Sequence, residues 1–251
     1  MALFVKELRL QQGTLQIALG LVILHLAALM AMKHTREWLS QELRVTWMIW
    51  LVVPLVIGSV SIADERRSRT LESALCLPVG RVRQFAVKLL VVFGLGLFLG
   101  AIMPWSLETL RRKGDSDDVM PLIFFLIGAT TITAIGYYAS SLSESLLQSI
   151  GAAIGFCVLF PFVFRYIVED RLASIFWWEV WIGFILLCLW LSYANFKHLR
   201  ITRRHWLGNG GILILAAIIA ARILWFIFHS GYWAYSSFNI IISGITAATC
   251  K

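Results

Sequence analysis

The chain has 251 residues, 59% of them hydrophobic and 14% charged, with a net charge of +8 and a mean hydropathy of +0.80. Soluble domains average about 25% charged residues, so the composition excludes an ordinary water-soluble globule and predicts one polytopic membrane domain. The basic excess then orients the chain in a bilayer rather than marking nucleic-acid affinity, and Cys76, Cys157, Cys188 and Cys250 show no metal-ligand or redox spacing.

The N-terminal stretch MALFVKELRLQQG is too long and too mixed in charge for the basic leader of a signal peptide. It predicts a short interfacial helix with Phe4, Val5 and Leu8 on one face and Lys6 and Arg9 among the headgroups. Seven apolar runs follow, at approximately 14–32, 45–62, 85–104, 119–139, 146–164, 174–194 and 211–228. Each reaches or approaches the length that crosses ~30 Å at 1.5 Å per residue, and only helix satisfies an open-ended backbone in lipid. The expected fold is therefore all-α, a polytopic bundle of six to seven transmembrane helices with an amphipathic N-terminal helix. Residues 1–210 make the six-helix domain. Residues 211–251 add a further segment and a tail, and leave open that the sequence is a piece of a longer chain.

His25 falls ~16 Å into the first run, near the bilayer midplane. A proton relay needs acidic or histidine neighbours that runs two to five lack, so a neutral imidazole bonded to an adjacent helix is the expectation. Between the second and third runs, ADERRSRTLESALCLPVGRVRQFAVK is the most charged stretch of the chain. Within it, DERRSRTLESAL predicts a short helix with Leu71, Ala74 and Leu75 on one face. Pro78 and Gly80 end that helix. Arg81 and Arg83 sit at headgroup level, and Lys88 snorkels at the base of the third run. A short helix with an apolar face and a charged rim either docks on a partner or lies on the membrane surface.

Further along, Gly96-x-x-x-Gly100 and Gly151-x-x-x-Gly155 permit close helix approach. Ser141, Ser143 and Glu144 share a loop with no histidine base nearby, so no catalytic residue and no metal site is expected. Glu179 lies among Trp177, Trp178 and Trp181, an ordinary interfacial belt. The segment NFKHLRITRRH, basic and without acids, marks the cytoplasmic side. With the N-terminus inside, segments 1–13, 63–84, 140–145 and 195–210 face the cytoplasm. Together with Lys88 they carry twelve Lys and Arg, against eight in the opposite loops. Arg222, in the seventh run, either snorkels outward or provides a counter-charge for an anionic substrate or for Glu179. It and His25 are the candidate substrate contacts.

The pattern Glu65, Arg69-Thr70-Leu71-Glu72, Leu77-Pro78-Val79-Gly80-Arg81 and Lys88 resembles the cytoplasmic loop of type-2 ABC transporter permeases, and VKELR ahead of the first run resembles that family's N-terminal amphipathic helix. The resemblance implies the membrane subunit of an ATP-driven exporter in a cell inner (plasma) membrane, paired with a second permease copy or a paralogue. The loop would be the coupling helix that docks on a separate ABC ATPase subunit. On this resemblance Leu71, Ala74 and Leu75 fill a groove of the ATPase. Glu65, Arg69, Glu72 and Arg81 set register around it, with Thr70, Leu77 and Pro78 completing the loop. ATP and Mg would belong to the partner, since the chain contains no G-x-x-x-x-G-K-[ST] and needs no cofactor of its own. The alternative is a membrane sensor or assembly protein whose basic loops bind a cytoplasmic partner; a membrane-embedded enzyme finds no catalytic constellation to support it.

Overall fold

The computed structural model describes residues 2–32, 50–68, 80–111, 122–167, 177–196, 198, 202, 204–216 and 219. Among them every regular element is a helix: α1 Ala2–Leu10, α2 Gln12–Met32, α3 Val52–Arg67, α4 Arg81–Leu97, α5 Met103–Arg111, α6 Leu122–Leu142, α7 Leu146–Ile167 and α8 Trp177–Phe196. Residues 204–216 form α9. A π-helical turn, Phe98–Ile102, joins α4 to α5 without a break. It precedes Pro104, whose ring and missing N–H disrupt the α-helical ladder at Gly100. Pro54, in the first turn of α3, lies where an absent N–H costs no intrahelical bond.

The first six apolar runs overlap α2, α3, α4–α5, α6, α7 and α8; residues 45–49, at the start of the second run, and most of the seventh lie outside the described residues. Among the described residues two helices are long and apolar enough to cross a membrane, Arg81–Leu107 and Leu122–Leu142, and shorter apolar helices occupy Gln12–Ala27, Leu146–Leu159 and Trp181–Phe196. One boundary is corrected. Asp64, Glu65, Arg66 and Arg67 do not begin a separate loop helix; they are the last turn of α3. The ladder continues because no proline or glycine interrupts it, and Arg66 and Arg67 complement the negative end of the helix dipole.

The bundle is organised around α6, which packs against α3, α4, the π turn, α7 and α8. Its most extensive interface is with α3, where Gly58 and Gly136 bring the two backbones into contact. A Cβ on Gly58 would stand 2.7 Å from the Thr133 carbonyl oxygen, and one on Gly136 2.7 Å from that of Leu55. Of the two small-residue motifs, Gly96-x-x-x-Gly100 is used inside the chain: Gly96 meets the Thr133 side chain and Gly100 the Pro54 ring. Gly151 and Gly155 meet nothing within 4 Å.

Polarity is arranged from the inside outward. Ser59, Thr133, Ser140, Ser141, Ser149 and Ser192 are buried, while Leu19, Ile23, Leu24, Leu90, Leu147, Leu159, Leu186 and Trp190 are exposed. Apart from that of Ser59, these buried hydroxyls bond to backbone, as when Ser149 Oγ donates to the Ser59 carbonyl at 3.0 Å. Between α6 and α8, Trp181 Nε1 donates to Thr131 Oγ1 at 2.7 Å. Such bonds let polar side chains fill a helix interface.

Candidate functional site

Four charged side chains meet at one end of the bundle, where α1, the last turn of α3 and the first turns of α4 converge. Glu65 is 1% exposed. One carboxylate oxygen lies 3.1 Å from Lys6 Nζ and the other 3.0 Å from Lys88 Nζ. Lys88 Nζ also donates to Glu7 Oε2 at 2.7 Å and to the Ser61 carbonyl at 3.3 Å. Two cations and two anions thus form a neutral chain, Lys6–Glu65–Lys88–Glu7, that ties the amphipathic helix to both helices flanking the 69–79 segment. The quartet borders a small cleft, completed by Gln84, Val87 and Phe196. Burial pushes the Glu7 carboxyl above its usual range, with the adjacent Lys88 ammonium pulling it back.

The neighbouring residue, Arg66, turns the other way. Nη1 donates to the carbonyls of Ser141 and Ser143, and Nη2 to those of Asn195 and His198, both at 3.2 Å. These carbonyls lie at or just beyond the C-terminal ends of α6 and α8, at the negative pole of each helix; that of Asn195 also accepts the His198 N–H at 3.0 Å. One planar guanidinium therefore caps two helix C-termini. Burial lowers its pKa to about 10, opposed by Glu144, which leaves it charged at neutral pH. Around it, Ser140 Oγ accepts the N–H groups of Ile62 and Ala63 at 2.8 Å. Asn195 Nδ2 donates to Ser141 Oγ at 3.2 Å, and Asn209 Nδ2 to Asn195 Oδ1 at 3.0 Å, which joins α9 to the same floor.

The described parts of the four segments assigned to one side thus gather at one end of the bundle: α1, the end of α3 and the start of α4, the α6–α7 corner and the end of α8. Three residue placements are corrected. Lys88 does not snorkel but is 2% exposed, because two carboxylates hold it inside. Lys6 reaches Glu65 instead of keeping to headgroups. Glu65 itself faces into the bundle, so its carboxylate is not on a rim offered to a partner. Arg81 is exposed at the start of α4. Arg69, Thr70, Leu71, Glu72, Ala74, Leu75, Leu77, Pro78 and Arg222 lie outside the described residues. His25 is buried, and Trp50 Nε1 donates to its Nδ1 at 3.4 Å, with the rings edge to face. Among the described residues no group of three His, Cys, Asp or Glu is placed to hold a metal ion.

Glu7, Arg66 and Asn195 are the residues that sequence reasoning missed. Glu7 lies on the row that α1 and α2 bury, with Gln11, Thr14 and Ala18, whereas Phe4 and Val5 of the expected apolar face are exposed. Arg66 left no signal, because one arginine in a basic loop looks like any other. Comparison with known proteins gives no match, whether to a family model, to a curated protein or to a solved structure.

Proposed function

We propose that the chain is the membrane permease subunit of an ATP-driven ABC exporter, six to seven spans with the N-terminus in the cytoplasm of a cell bounded by an inner (plasma) membrane. It moves a substrate when a separate ATPase subunit hydrolyses ATP, and it works beside a second permease copy or paralogue. The observation that carries the reading is the loop from Glu65 to Lys88. Its residue pattern resembles the coupling segment of such permeases, and both of its roots are fastened by the ion quartet to the amphipathic helix. Exposed leucines and isoleucines over buried serines and threonines support lipid as the surrounding solvent.

In this reading the 69–79 segment is the contact with the ATPase, through Leu71, Ala74 and Leu75. Arg69, Glu72 and Arg81 provide the charged rim. Glu65 and Lys88 hold the roots in place and touch no partner. The test is affinity purification of the full chain from membranes. An ATPase subunit should copurify with it. Glu72→Ala with Leu75→Ala should abolish that association or uncouple transport from hydrolysis, while the chain still inserts. Transport that survives the double change, or a chain that recovers no ATPase, overturns the assignment; the second result favours the sensor or assembly reading.

A further inference from the structure

Glu65 and Arg66 are consecutive in sequence and point to opposite halves of the bundle. Glu65 binds Lys6 of α1 and Lys88 of α4, whereas Arg66 binds the carbonyl ends of α6 and α8. Helix geometry accounts for the divergence, since adjacent residues project ~100° apart. The bonds differ in kind as well. Glu65 makes ion pairs to flexible lysine stems, which tolerate small shifts. Arg66 holds a rigid guanidinium fork against backbone, which has no slack of its own. Both residues stand at the end of α3, next to the segment that the proposed function assigns to the ATPase.

We propose that this dipeptide splits motion of the 69–79 segment into two routes. Glu65 carries it to the amphipathic helix, and Arg66 to α6 and α8. Both are positioning residues, and the idea rests on the exporter reading. A displaced segment pulls the last turn of α3. Through Arg66 that pull reaches two helix ends at once, and through the quartet it reaches α1. Neither residue binds nucleotide or substrate, so neither should alter ATP affinity.

Backbone hydrogen–deuterium exchange on the full chain and its copurified ATPase in lipid nanodiscs, with and without Mg-ATP and vanadate, tests the split. In the wild type, trapping should change exchange at both 2–10 and 191–196. Arg66→Lys keeps the charge, but a single ammonium cannot fork onto two helix ends. It should lose the response at 191–196 and retain that at 2–10. Glu65→Gln should do the reverse. Both variants should keep the ATPase bound and hydrolysing, which a general loss of folding would not allow.

An Arg66→Lys chain that responds at 191–196 like the wild type overturns the routing and leaves the exporter reading standing. So does either variant losing both responses together. A wild-type complex that responds at neither segment overturns the exporter reading itself, and the routing with it. Should Arg66→Lys fail to insert, the Glu65→Gln arm decides alone: selective loss at 2–10 supports the routing, and any other result sinks it.

Discussion

Lys88 has the most demanding environment among the charged groups of the quartet. Its ammonium sits almost fully out of water between two carboxylates and a carbonyl. A buried ion pair adds little net stability over an apolar substitute, yet removing one partner strands the others. Lys88→Met should therefore cost about 3–5 kcal/mol, because Glu7 and Glu65 both lose a buried ion-pair partner. Thermal unfolding in detergent would read this as a lowered midpoint. Lys88→Arg, which keeps a cation between the two carboxylates, should lose much less, whereas exchanging the charges, Glu7→Lys with Lys88→Glu, sets a carboxylate against Glu65 and should not recover the loss. Glu7 also makes stability depend on pH. Its carboxyl holds a proton to higher pH when folded than the ordinary 4.5, so the folded form binds more protons in that window. The contribution is complete below 4.5 and is lost as pH rises through the raised range. Glu7→Gln should flatten this part of the stability–pH curve, and unchanged curvature would contradict it.

At the scale of elements, the α3–α6 crossing depends on the absence of two side chains. At Gly136 a Cβ would strike the backbone of Leu55, and backbone cannot rotate aside as a side chain can. Overpacking typically costs about 1–3 kcal/mol, and Gly136→Leu should reach the upper part of that range. The same change at Gly155, with open space around it, should be near neutral. Paired melting curves compare the two directly. This contrast could not be read from the sequence, where both glycines sit in similar apolar runs. The helices themselves were legible, because long apolar runs with few breakers leave the backbone one way to satisfy its polar groups. Their partners were not. The extension of α3 through Arg67 was missed because charge was taken as a boundary, although charge stops burial and not helix.

For the molecule as a whole, the sequence placed the right segments together at one end but misjudged what they do there. Basic residues counted as marks of a water-facing surface. In the fold, Lys88 and Arg66 are spent inside, one on carboxylates and one on helix ends. The resemblance singled out the loop, and Glu65 and Lys88 within it; the long-range bonds of Glu7, 81 residues from Lys88, had no local signal to reveal them. Removing residues 1–10 should therefore do more than delete a surface helix. It takes away Lys6 and Glu7 together, leaving Glu65 and Lys88 paired but open to water. A truncated chain should insert yet become susceptible to protease at the 69–79 segment, and equal resistance in the two chains would argue against the tie.

The glycine contact between α3 and α6 has a mechanical consequence. Gly58 lies eight residues from Arg66 towards one end and eight from Trp50 towards the other, about 12 Å each way at 1.5 Å per residue. A stiff rod gripped at its midpoint behaves as a seesaw once its lesser holds, Ser140 on Ile62 and Ala63 and Gly100 on Pro54, give way. Any sideways swing of the Glu65–Arg66 foot returns at the Trp50–His25 head with similar amplitude and opposite sign.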